Sequence, residues 1–98
     1  MTNRPQAFVF IDGERRKVFF NISASDGIDE SFVIQDASFE LEDNEGQIIA
    51  SGACTIHDHD VICTIQPPNM GSYLLTCSCI VGDEIIKGTC TINVKKKR

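Results

Sequence analysis

Residues 71–94, "GSYLLTCSCIVGDEIIKGTCTINV", decide the fold class. Tyr73, Leu75, Cys77, Cys79 and Val81 recur at every second position of the first run, and Ile86, Gly88, Cys90, Ile92 and Val94 do the same in the second. A period of two is the mark of a strand with one buried face. Gly82 and Asp83 supply a two-residue turn between the two runs. That turn predicts a hairpin in which Val81 faces Glu84, Cys79 faces Ile86, Cys77 faces Gly88 and Leu75 faces Cys90. Thr76, Ser78, Lys87, Thr89, Thr91 and Asn93 then share a wet face.

The same pattern extends upstream. Ala37, Phe39 and Leu41 alternate with Ser38, Glu40 and Glu42. A turn at 43–46 ending in Gly46 places Leu41 opposite Ile48, and the next strand carries Ile48, Ala50, Gly52, Cys54 and Ile56 on one face. With Asp58 and His59 in the following turn, Cys54 faces Cys63, Ile56 faces Val61 and Ile65 faces Gly52. A slip of one residue would turn Thr64 and Gln66 inward, which argues for this register. Nearer the start, "AFVFI" (7–11) and "KVFFNIS" (17–23) read as strands joined by "DGERR", and "SFVIQ" (31–35) as a short strand or a lead-in. Helical spacing is nearly absent. About seven antiparallel strands, with no helices between them, predict an all-β, immunoglobulin-like sandwich.

The chain has 98 residues, the size of a single domain, taken as 1–98 with a basic, frayed tail at 95–98. It carries a net charge of -5. Lys95, Lys96, Lys97 and Arg98 supply four of the nine cations. The rest of the chain therefore holds five against fourteen acids, a net of -9. Such a body repels phosphate backbones, so nucleic acid is not an expected partner. No apolar run approaches the roughly 18 residues of a membrane helix, so no membrane partner is expected either. "MTNRPQAFVFIDGERR" lacks the apolar core of a signal peptide, and a cytoplasmic location is expected.

Two groups of side chains could carry chemistry. All five cysteines, Cys54, Cys63, Cys77, Cys79 and Cys90, fall on the predicted core face. None has the CxxC spacing of a zinc knuckle, and an odd number cannot form a complete disulfide framework. They read as small buried hydrophobes with a structural role. A Cys54–Cys63 cross-strand disulfide and a metal held by the cluster are the alternatives. The second group is "IHDHDV", where His57, Asp58, His59 and Asp60 crowd a hairpin tip. Imidazoles and carboxylates together bind zinc-like cations, although a solvated polar tip explains the same residues. No nucleophile elbow, zinc-protease helix or phosphate loop occurs, so neither catalysis nor a cofactor is expected.

"PNMGSYLL" (68–75) has Gly71, Ser72 and Tyr73 after a proline-rich turn, and resembles the tyrosine corner of immunoglobulin-like sandwiches. Leu75 stands where antibody domains have the second Cys, so their inter-sheet disulfide is missing. From Ile34 to Val94, "DASFELEDNEGQIIASGACTI", "VICTIQP" and the closing hairpin resemble the small Ig-like domains of tailed-phage virion proteins. These include head-tail region proteins and the N-terminal domain of baseplate upper proteins. The resemblance implies a non-catalytic structural or adaptor protein in the cytoplasm and then the virion. Its partners would be other protein subunits, virion proteins or copies of itself, contacted through loop 23–31 and the N-terminal segment. A bacterial ligand-binding or adhesion module, and a metal-binding domain using the His57–Asp60 tip, are the competing functions.

Overall fold

The structure, a computed structural model, describes residues 6–22 and 32–96. Loop 23–31, residues 1–5 and the end of the tail lie outside the described residues.

Among the described residues, eight strands form two sheets. They are β1 (Gln6–Ile11), β2 (Arg16–Asn21), β3 (Asp36–Glu42), β4 (Ile48–Ala53), β5 (Thr55–His57), β6 (Asp60–Ile65), β7 (Gly71–Val81) and β8 (Glu84–Lys95). One sheet has the order β1-β8-β7-β3-β4 and the other β2-β6-β5. The all-β sandwich is thus the fold, with eight strands rather than seven. The closing hairpin has the register that its turn dictates: Val81 pairs with Glu84, Cys79 with Ile86, Cys77 with Gly88 and Leu75 with Cys90. Gly82 takes the left-handed conformation, φ 63°, that a two-residue turn needs at that position.

The core lies between the sheets. Phe10, Ala37, Phe39, Leu41, Leu75 and Ile92 come from the larger sheet, and Val18, Val61 and Ile65 from the smaller. Apolar burial of this kind is the main driving force for closing the sandwich. Among the described residues no polar or charged residue is buried.

The chain changes sheet where the sequence predicts continuous pairing. Strands β1 and β2 do not form a hairpin. β1 runs parallel to β8, with Phe10 opposite Val94, while β2 pairs with β6 in the other sheet. The turn between them explains the switch. The Glu14 N–H donates to the Ile11 carbonyl at 2.9 Å, and Glu14 Oε1 accepts from the Ile11 N–H at 2.7 Å. Arg16 reaches back to the Val9 carbonyl at 2.8 Å and lies over the Phe10 ring. These bonds make a tight corner that carries the chain from one layer to the next.

The second switch divides the strand expected over 48–56. β4 pairs with β3, and β5 pairs with β6, with Cys54 between them. Gly52 consequently faces Phe39, not Ile65, and an irregularity after Leu41 puts Ala50 opposite Leu41 and Ile48 opposite Glu42. Every residue of β4 is exposed, including Ile48 and Ile49. The smaller sheet has three strands against five, and among the described residues nothing buries this edge. Residues 32–35 form no strand, although Ile34 is buried.

Candidate thiol metal centre

The two sheets and the crossing between them bring three thiols together. Cys63 comes from β6 of the small sheet and Cys77 from the middle of β7 in the large one. Cys54 occupies the crossing. Its backbone N–H still donates to Ala37 of β3 at 2.9 Å, while its Sγ lies 3.2 Å from that of Cys63. The Sγ atoms of Cys54, Cys63 and Cys77 all lie within 4.8 Å of one another. Cys79 adds a fourth sulfur 3.8 Å from Cys77. Cys63, Cys77, Cys79 and Cys90 are buried, and Cys54 is half-buried, so it is the solvent-facing member.

Burial sets the electrostatics. It pushes the Cys54 thiol up to about 11, opposed in part by the hydrogen bond to Cys63. Burial also raises Cys79 to about 12 and Cys90 to about 11, and charge at Cys77 would push both the same way. Cys77 is raised further still, first by its hydrogen bond with Cys63 and then by burial. Among the described residues no buried cation stands nearby to favour thiolates. Without an added positive charge these four groups are neutral thiols at neutral pH. A bound metal ion supplies that charge and displaces protons as it binds.

The hairpin tip is arranged differently. His59 stacks on Phe32 with ring centroids 4.1 Å apart, and its Nε2 lies 3.0 Å from the Phe32 carbonyl. Asp60 Oδ1 accepts from the Asn21 side chain at 2.8 Å. Asp58 occupies the left-handed turn position, φ 62°, and His57 is exposed. Among the described residues no three of these ligand atoms converge, whereas three sulfurs do. His59 and Asp60 are thus tied to Phe32 and Asn21 instead of to each other.

Tyr73 is buried at the start of β7. Its hydroxyl donates to the Asn69 carbonyl at 2.7 Å and accepts from the Asn69 N–H at 3.2 Å. Gly71 precedes it with φ 137°. These two residues hold the chain reversal ahead of the thiol-bearing strand. The inward direction of each Cys was legible from alternation alone. Which three would meet was not, because that depends on how the layers stack and on the switch at Cys54.

No family model matches the chain, and no curated protein sequence matches it. Among solved structures, the fold is similar to that of CopC from Methylosinus trichosporium OB3b. The TM-score is 0.65 over 95% of this chain and 87% of that one, at 12% identity. This likeness corrects the tailed-phage resemblance. The quoted motifs are turn signals and strand alternations that unrelated sandwiches share, and a fold match across nearly the whole chain outweighs them. The virion adaptor role and the virion placement rested on that reading and fall with it; the cytoplasmic placement, drawn from the N-terminal sequence, does not stand either, and at this level of identity the architecture alone is shared with CopC.

Proposed function

We propose that this protein is a non-catalytic metal-binding domain, and that Cys54, Cys63 and Cys77 hold a soft ion of the Cu(I) class. The convergence of three sulfurs within 4.8 Å carries the reading. Metal–sulfur bonds of about 2.3 Å in a trigonal arrangement set the sulfurs about 4.0 Å apart. The observed 3.2 Å between Cys54 and Cys63 and the 4.8 Å limit bracket that spacing. Thiolate sulfur selects soft ions, whereas hard cations take oxygen ligands. Structural zinc favours four closed ligands, so a three-sulfur set suits a trigonal ion better. Cys54 gives the ion a route in, because it alone of the three reaches solvent. On this reading the thiols, and not the His57–Asp60 tip, are the metal ligands.

The test is an anaerobic titration of the reduced chain with Cu(I) against a chromogenic chelator. One ion per chain is expected, weakened at least tenfold in Cys54→Ala and in Cys77→Ser. His57→Ala and His59→Ala should bind as the parent does. Absence of competition with the chelator, or a loss confined to the histidine variants, would overturn the proposal.

A further inference from the structure

Cys54 and Cys63 are placed for a second chemistry. One position beyond the Thr55–Ile62 pair, they lie side by side on neighbouring antiparallel segments with sulfurs 3.2 Å apart. Directly opposed residues of such segments have Cα atoms about 4.5–5.5 Å apart, and disulfides span about 4.4–6.8 Å. Cys77 and Cys79 are also close, at 3.8 Å, but they are two residues apart on one strand. About 3.3 Å of rise per residue puts their Cα atoms near the upper limit of that span, with both side chains parallel. Access separates the pairs as well: Cys54 is half-buried, while Cys77 and Cys79 are fully buried.

We infer that Cys54 and Cys63 form a reversible dithiol–disulfide couple, oxidised by small-molecule disulfides, and that oxidation removes two of the three metal donors. The second half of this inference rests on the metal reading; the first does not. Cys54 is the entry thiol. Its thiolate attacks one sulfur of the incoming disulfide, forming a mixed disulfide and expelling one thiolate. Cys63 then attacks the Cys54 sulfur, closing the cross-strand bond and expelling the second thiolate. The two protons lost by the protein are taken up by the two thiolates released. The protein loses two electrons and the small disulfide gains them. Excess small thiol runs the steps backwards.

The folded 98-residue chain is incubated with oxidised glutathione and its free thiols are then counted after unfolding. The count should fall from five to three. Cleavage beside Asp58 or Asp60 and after Tyr73, without reduction, should yield one linked pair carrying Cys54 and Cys63. Cys63→Ser should stop at a stable Cys54–glutathione adduct. Cys54→Ala, the milder substitution because the site is only half-buried, should keep all four remaining thiols unreacted while folded. A linkage involving Cys77 or Cys79, or five free thiols after prolonged exposure, would overturn the couple. A Cys54–Cys63 link in a chain whose reduced form holds no Cu(I) would leave the couple standing and remove the metal reading. Cu(I) binding that survives complete oxidation would remove only the proposed control of the site.

Discussion

The hydroxyl of Tyr73 is bonded twice to Asn69, donating to its carbonyl at 2.7 Å and accepting from its N–H at 3.2 Å. One side chain thereby closes the reversal between β6 and β7, while its ring is buried in the core. Tyr73→Phe keeps the ring and loses both bonds. Asn69 is exposed, so water replaces them and the net cost is about 1 kcal/mol. For a domain of this size that lowers Tm by about 4–8 °C. Tyr73→Ala also empties the ring's place and should cost about 3–5 kcal/mol. Thermal unfolding of the two variants checks the ordering; an unchanged Tm in Tyr73→Phe would show that the bonds contribute nothing.

The buried thiols make stability fall in alkali. Cys79 and Cys90 stay protonated in the fold to about 12 and about 11, against 9.0 when unfolded. Between 9 and 11 the native state therefore holds more protons than the unfolded chain. Stability contributed by the neutral thiols is complete below pH 9 and declines as pH rises towards the folded values. Each such group removes up to about 1.4 kcal/mol per pH unit in that window. Urea midpoints at pH 7.5, 9 and 10 should change little over the first interval and fall over the second, and Cys90→Ala should show a shallower decline from a lower start. A flat profile in the parent protein would contradict the burial of these groups.

Gly82 tests the turn on its own. It lies at φ 63°, and an added Cβ would meet nothing within 4 Å. Any cost of a side chain there is consequently backbone strain and not a clash. Gly82→Val should destabilise the hairpin by about 1–2 kcal/mol, whereas Gly82→Asn, which tolerates the left-handed region, should cost less. Equal unfolding midpoints for the two would mean that the turn relaxes to another type.

These particulars also show why part of the molecule was legible in the sequence. The β7–β8 register follows from a two-residue turn and a strict alternation, both local, and it is observed residue for residue. The partner of β1 is a strand some eighty residues away, lying parallel, and no local pattern announces it. Likewise "GQIIASGACTI" reads as one strand because its alternation is unbroken across Cys54, yet the backbone there bonds to β3 while the next residues bond to β6. The thiol centre depends on that break. The hairpin tip misled for the opposite reason: its ligand-type residues are crowded in sequence, but His59 and Asp60 are engaged by Phe32 and Asn21, distant along the chain. Local turn chemistry also carried the phage resemblance, and turn chemistry does not identify a family.

The strongest constraint on the metal reading is its pH dependence. Cys54 and Cys77 are neutral thiols held above their ordinary range, so an ion must displace their protons to bind through thiolate. Affinity then rises about tenfold per pH unit for each proton displaced, as long as pH stays below the thiol values. Measured with the same chelator between pH 6 and 8, the parent's affinity should climb with a slope near the number of thiolates formed. Cys54→Ala removes one donor and should lower that slope by about one proton. Ligation by His57 or His59 predicts something else. The thiols take no part in such a site, so its pH profile would be the same with and without Cys54. A profile unchanged in Cys54→Ala would therefore move the site from the thiols to the histidines.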